Sequence, residues 1–121
     1  MRNEEPAVLL QSALDLDRDV LAGQVDLVEA LDGPEVIYLS VDIDVVDPGL
    51  APGTGTPEPG GMLTRELLRA LRQIAQKVPI AGMDIVEVSP PYDWAESTAM
   101  IANRAALEVI SSLAKRKAAG E

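Results

Sequence analysis

The chain has 121 residues, of which 47% are hydrophobic, and its formal net charge is −10. This apolar content is sufficient for the core of one domain, and the acidic balance argues against a nucleic-acid surface, which requires a basic patch. The sequence has no cysteine and no histidine, which excludes disulfides and a cysteine nucleophile. It also shows no signal peptide and no membrane-spanning apolar run, so a cytoplasmic protein is expected.

The first third of the chain carries the weakest pattern. Residues 1–20 are poorly defined, and residues 7–14 fit a helical turn or a short strand. Residues 26–31 have the apolar spacing of a helix end. The Asp32-Gly33-Pro34 sequence supplies a stop, because glycine suits the position after a helix and proline cannot continue one.

The central segment predicts a strand followed by a long loop. Val36 begins a short apolar run, and we expect the strand to extend from Glu35 to Asp44. Pro48 ends it because proline has no N–H to donate to a sheet. The following residues, 49–61, are rich in glycine and proline, which is typical of a shaped loop that carries binding groups.

The last half of the chain alternates helix and strand. Thr64 is a candidate N-cap for a helix over residues 65–77. A strand over residues 80–88 follows, then a proline-rich loop in which packing is the favoured role for Tyr92 and Trp94. A final helix extends from Ser97 or Thr98 to Lys115. Its predicted apolar face comprises Ile101, Ala105, Leu107, Val109, Ile110 and Leu113.

This order of elements predicts an α/β fold with a parallel sheet and right-handed crossovers. Ligands of such sheets bind beyond the carboxyl ends of the strands. Asp42 and Asp44 lie at that end of one predicted strand, and Glu87 lies at that end of the next. We therefore expect the three acids at one edge of the sheet.

The spacing of Asp42 and Asp44 places both carboxylates on one face of a strand, where they repel each other. No basic residue lies between Gln24 and Arg65, so a magnesium, calcium or manganese ion is the simplest counter-charge. An acidic strand end that faces solvent is an alternative. An EF-hand is excluded, because its sixth and twelfth positions would be Asp47 and Gly53 rather than glycine and glutamate.

A nucleotide-sugar transferase is a further alternative, but an Asp-x-Asp motif alone is a weak signal for it. The acids by themselves indicate a metal without naming a reaction. The longer pattern is more specific. The run Ser40-Val41-Asp42-Ile43-Asp44-Val45-Val46-Asp47-Pro48, followed by Ala51-Pro52-Gly53-Thr54-Gly55-Thr56-Pro57-Glu58-Pro59-Gly60-Gly61, resembles the signature of the ureohydrolase family of arginases and agmatinases.

The sequence of the loop resembles that of the agmatinases more than that of the arginases. The resemblance covers roughly residues 22 to 113. It implies a three-layer α/β/α fold with a parallel sheet, of which residues 1–121 form the C-terminal part of a single domain. Within it, residues 36–61 would be the metal-binding strand and loop. Residues 80–93 would be the strand and loop on the substrate side.

In that family two manganese ions activate the water that releases urea from a guanidino compound. By resemblance, Asp42 and Asp44 are metal ligands, and which of them is shared by both ions is left open. Asp47 either orients the loop behind the ligands or stabilises an Asp-Pro turn. Glu87 matches the glutamate that binds the substrate guanidinium; an exposed strand-end acid is its alternative. Asp84 lies at odd spacing to Glu87, which favours a structural pairing.

The chain also departs from the family pattern. It lacks the upstream Gly-Gly-Asp-His and Asp-Ala-His-x-Asp motifs, which supply the other metal ligands, so we expect no catalysis by the chain alone. The resemblance implies a small guanidino substrate such as agmatine, a role in putrescine biosynthesis, and a homotrimer or homohexamer in the complete enzyme. The alternative is a non-catalytic module that binds one divalent cation or associates with a full-length relative.

Overall fold

A computed structural model describes residues 8–9 and 35–121 of the chain. In this part, three parallel strands form one sheet in the order β1-β2-β3, with β1 at Val8–Leu9, β2 at Ile37–Asp42 and β3 at Ile80–Val86. The parallel pairing of β2 with β3 confirms the sheet expected from the order of elements. Of the two possibilities for residues 7–14, the described residues Val8–Leu9 form the short strand. The predicted helix end at 26–31 lies outside the described residues.

Two α-helices complete the described part: α1 at Thr64–Lys77 and α2 at Ser97–Ala118. Thr64 is the first helical residue rather than the N-cap, which is Leu63. No Thr64 side chain caps the helix; instead, the Glu66 side chain caps it by accepting the N–H of the N-cap residue Leu63 at 2.8 Å. Where the chain is described, no helix combines the length and apolar character needed to cross a membrane.

Both strands end earlier than their sequence patterns predict. The expected strand to Asp44 stops at Asp42, because Ile43–Val45 form a short 3-10 helix. The Asp42 carboxylate starts this turn by accepting the Asp44 N–H at 3.1 Å. The expected strand to residue 88 stops at Val86, since Glu87 has φ of 67° and leaves the extended conformation.

The core lies between the sheet and the two helices. Leu39 and Val41 of β2 pack with residues of both helices, which therefore cover the same face of the sheet. The helical members of this cluster are Leu67, Leu71, Ala75, Ala105 and Val109. On the other face of β2, Tyr38 is 42% exposed. The described residues thus supply the sheet and one helical layer of the α/β fold.

Some of the predicted apolar packing is wrong. In α2, Ala105 and Val109 are fully buried, but Leu107 is 50% and Ile110 is 60% exposed. At 100° per residue, Leu107 points about 200° away from Ala105 around the helix, so the two cannot share one buried stripe. Tyr92 and Trp94 do not pack either, as both are largely exposed.

Candidate metal and substrate site

The carboxyl ends of β2 and β3 bring the predicted acids together. Asp42 is the last residue of β2 and pairs in register with Val86, the last residue of β3. Glu87 follows Val86 directly, so it leaves the sheet beside Asp42. We call this edge, with Asp42, Asp44 and Glu87, the acidic rim.

The environment of Asp42 disfavours its negative charge. Burial is the largest cause that raises the pKa of Asp42, to about 6; the neighbouring carboxylates of Asp44 and Glu87 contribute in the same direction, and the hydrogen bond from the Asp44 N–H opposes them. The charged groups that act on Asp42 in the described part of the chain are thus both acids. Such a group gains from a cation that is brought to it.

Asp44 is oriented by the loop over residues 47–63, which we call the glycine-rich loop. The 3-10 helix that carries it is anchored by the buried side chains of Ile43 and Val45. The Oδ2 atom of Asp44 accepts a hydrogen bond from the Thr56 hydroxyl at 2.9 Å. Sequence reasoning missed Thr56, although a hydroxyl within Gly-Thr-Gly-Thr, twelve residues after an acid, was the available signal.

The glycine-rich loop is closed at its base. The Asp47 N–H donates to the Met62 carbonyl at 2.9 Å, and the Met62 N–H donates to the Val45 carbonyl at 2.7 Å. Gly61 permits this approach, because a Cβ there would lie 2.7 Å from Asp47 N and from Val45 O. Both ends of the loop are therefore held beside the rim.

Asp47 shapes the same loop from inside. Its carboxylate accepts the Gly49 N–H at 2.8 Å and the Gly60 N–H at 3.0 Å. The bond from Gly49 closes the Asp-Pro turn, and the bond from Gly60 connects the end of the loop to its beginning. Both bonds act on the loop backbone, and the first is the turn predicted for Asp47; its role behind metal ligands stays a prediction.

Glu87 and Asp84 differ as their spacing suggests. Asp84 Oδ1 accepts the Ser40 hydroxyl at 2.6 Å and its Oδ2 accepts the Tyr38 hydroxyl at 3.1 Å, which confirms a structural pairing for Asp84. Glu87 is exposed and has a left-handed backbone. A non-glycine residue adopts that conformation only where its surroundings impose it, and such residues concentrate at functional sites.

A second group of residues, which sequence reasoning missed, holds the substrate side to the glycine-rich loop. The Gly53 N–H donates to Thr98 Oγ1 at 2.8 Å, and the Ser89 N–H donates to the Gly53 carbonyl at 2.7 Å. Asp93 in turn accepts the backbone N–H groups of Thr98 and Ala99 at the start of α2, at 3.0 and 2.9 Å. No short-range pattern in the sequence signals these contacts.

The donor set at the rim fits part of a manganese centre. Carboxylate oxygens are hard ligands of the kind that Mn²⁺ accepts, and Asp42 and Asp44 offer them side by side. Among residues 8–9 and 35–121, no group of three or more His, Cys, Asp or Glu side chains is arranged to hold a metal ion. The described residues therefore offer a partial set of ligands.

Comparison with known proteins gives the family. The model of the arginase family matches residues 8–111. The chain belongs to the arginase family. Proclavaminate amidinohydrolase from Streptomyces clavuligerus is 45% identical over 95 residues, which are 78% of this chain and 30% of that protein. Agmatinase from Chromobacterium violaceum is 43% identical over 88 residues, covering 73% of this chain and 27% of the agmatinase.

Solved structures of the arginase family share the fold. The structure of the Streptomyces clavuligerus proclavaminate amidinohydrolase superposes with a TM-score of 0.74 at 42% identity and covers 85% of this chain and 35% of that one. The α/β fold expected from the sequence is thereby confirmed as arginase-like. The chain spans about a third of the length of these relatives.

Proposed function

We propose that this chain is the C-terminal portion of an agmatinase-like ureohydrolase, a binuclear manganese enzyme that hydrolyses a guanidino C–N bond and releases urea. The observation that carries the proposal is the acidic rim: β2 and β3 end in register, with Asp42, Asp44 and Glu87 side by side. Membership of the arginase family supports the same chemistry.

Asp42 and Asp44 would hold manganese. Their carboxylates are held by the protein, Asp42 through the Asp44 N–H and Asp44 through the Thr56 hydroxyl, so little ordering would be needed to bind an ion. Bound manganese would supply a lowered pKa for water and stabilisation of developing negative charge. Asp47 would act behind these ligands by fixing the loop that carries Thr56.

Glu87 would bind the substrate. A carboxylate can accept two parallel N–H bonds from a planar guanidinium, which sets the orientation of that group as well as adding affinity. Its position one residue beyond β3 places it beside Asp42, so a guanidinium bound to Glu87 would present its carbon to the acid pair. Its exposure leaves the carboxylate free to accept those bonds.

The complete enzyme would draw its remaining metal ligands from outside the described residues. The named relatives support a small guanidino compound such as agmatine as the substrate. The resemblance further supports a cytoplasmic protein of polyamine metabolism that assembles as a homotrimer or homohexamer.

The proposal is tested with a chimera in which the matched region of the Chromobacterium violaceum agmatinase is replaced by the corresponding residues of this chain. With Mn²⁺ and agmatine, the chimera should release urea. Asp44→Asn should lower that activity at least about 100-fold, because even changes to groups behind metal ligands commonly cost 10- to 100-fold. Asp84→Asn is the matched control and should keep the activity.

Two results would count against the proposal in different ways. A folded chimera that binds Mn²⁺ but releases no urea from agmatine or other guanidino compounds would leave the non-catalytic, cation-binding module. Full activity in Asp44→Asn would mean that the acid pair is not the metal site.

A further inference from the structure

The two loops of the acidic rim are joined at one buried glycine. Gly53 belongs to the glycine-rich loop, yet both of its backbone polar groups bond to the segment after β3. Its N–H donates to Thr98 Oγ1 at 2.8 Å and its carbonyl accepts the Ser89 N–H at 2.7 Å. Residues 53 and 98 are 45 positions apart, so this joint ties together the metal side and the substrate side.

Asp93 holds Thr98 in place at the start of α2, because its carboxylate accepts the Thr98 and Ala99 N–H groups at 3.0 and 2.9 Å. Burial would raise the pKa of Asp93, but the hydrogen bonds from the Ala99 and Thr98 backbone N–H groups lower it. The hydroxyl oxygen of the Thr98 held in this way accepts the Gly53 N–H. The result is a relay from Gly53 through Thr98 to Asp93.

The residues of the relay are packed in close contact. A Cβ on Gly53 would lie 2.4 Å from Asp93 Cβ and 2.9 Å from Thr98 Oγ1. Real side chains never approach so closely, so the glycine-rich loop is in direct contact with Asp93 at this position. A shift of the segment after β3 would therefore move the loop, and the reverse also holds.

The segment that the relay secures is strained at both ends. Glu87 at its start and Glu96 at its end have φ of 67° and 58°, the only two left-handed non-glycine residues in the described part of the chain. Backbone in this region persists where surrounding contacts over-determine it. The contacts of Gly53 with Ser89 and Thr98 lie between these two residues and at the start of α2.

We propose that Asp93 and Thr98 are positioning residues that, through Gly53, lock residues 87–96 onto the glycine-rich loop and thereby fix Glu87 beside the acid pair. The role in substrate binding rests on the function proposed above. The relay acts on the placement of Glu87, whereas Asp42 and Asp44 are held by β2, by the 3-10 helix and by Thr56. It should therefore change the affinity for the guanidino substrate more than the affinity for metal, which reaches the relay only through Thr56.

The first test is hydrogen exchange in the full chain. Thr98→Val keeps the shape of the side chain but removes the hydroxyl, leaving the Gly53 N–H without its acceptor. The Gly53 and Ser89 amides should exchange at least about tenfold faster, the order expected when a buried donor loses its partner, and Thr98→Ser should restore protection. Faster exchange confined to residues 97–99 would overturn the proposed joint.

The second test is kinetic and uses the agmatinase chimera. Thr98→Val should raise the KM for agmatine about tenfold, as for one lost buried hydrogen bond, with a smaller change in the dissociation constant of Mn²⁺. Thr98→Ser should restore the KM. Glu108→Gln is the control for a purely structural effect: Glu108 bonds Arg72 of α1 and Arg104 of its own helix, so its loss should not move KM. An unchanged KM in Thr98→Val, or an equal loss of metal affinity, would overturn the positioning role.

The two tests separate this inference from the proposed function. An unmutated chimera that releases no urea would overturn the function and with it the role in substrate binding. The exchange measurement would still decide whether Thr98 couples the two loops.

Discussion

Two buried or half-buried carboxylates of this chain have opposite surroundings. Glu108 is 6% exposed between α1 and α2, where it accepts Arg72 Nε at 3.0 Å and Arg104 Nη2 at 2.9 Å. These hydrogen bonds and the arginine charges lower the pKa of Glu108. At the acidic rim, burial together with the charges of Asp44 and Glu87 raises the pKa of Asp42 to about 6.

The difference distinguishes a structural acid from a candidate functional one. The cost of burying Glu108 is offset by cations of the same chain, so the group is complete as it stands. In the described part of the chain Asp42 lies among other acids, an arrangement that gains free energy when positive charge is brought to it. A metal ion and a guanidinium are both such partners, which is why the acidic rim and not the Glu108 cluster is the candidate site.

Outside the metal ligands, the largest expected effect is at Glu87. In the agmatinase chimera, Glu87→Gln should raise the KM for agmatine between about 10- and 100-fold, because hydrogen bonds to a charged group contribute about 1.5–3 kcal/mol. Glu96→Gln is a matched control, since Glu96 is also exposed and left-handed but lies at the far end of the segment. Equal changes in both variants would remove Glu87 from the substrate site.

At Glu108 the expected loss is in stability. Glu108→Gln removes the carboxylate that joins Arg72 of α1 to Arg104 of α2 and should lower the midpoint of urea denaturation of the full chain. Urea release by the chimera should not change at a temperature where both proteins are folded. A fall in activity without a fall in stability would mean that the Glu108 cluster has a functional role.

The pH dependence of stability should differ with and without Glu108. Because the pKa of Glu108 is lowered by folding, from an ordinary value of 4.5, its contribution is present in full above that value. It is lost as the pH falls through the lower, folded-state pKa. The gap in denaturation midpoint between the unmutated chain and Glu108→Gln should therefore be widest near neutral pH and shrink in acid. A gap that widens in acid would contradict the assigned ion pairs.

The smallest effect is expected at Glu96. Its φ of 58° is disfavoured for any residue with a Cβ, and glycine tolerates it. Glu96→Gly should raise the free energy of unfolding by about 1 kcal/mol, the order of the left-handed penalty. Glu58→Gly, an exposed change in the glycine-rich loop, is the comparison and should not stabilise. A destabilised Glu96→Gly would mean that the Glu96 side chain makes a contact that holds the segment.

The sequence predicted what depends on neighbouring residues. The apolar run before Asp42, the helix over residues 65–77 and the glycine-rich loop follow from local pattern, and so does the meeting of Asp42 with Glu87 once the strands are parallel. The relay from Gly53 to Thr98 could not be foreseen, because it joins residues far apart in the chain. Nor could the left-handed turn at Glu87, since no glycine marks it.

The assignment of the acidic rim as the metal site is tested most directly by equilibrium binding of Mn²⁺ to the agmatinase chimera. The dissociation constants of three proteins would be compared: the unmutated chimera, Asp44→Asn and Glu108→Gln. We expect Asp44→Asn to weaken binding at least about 100-fold, more than the loss of a group behind a ligand, and Glu108→Gln to leave it unchanged. Equal binding by the unmutated chimera and Asp44→Asn would contradict the account.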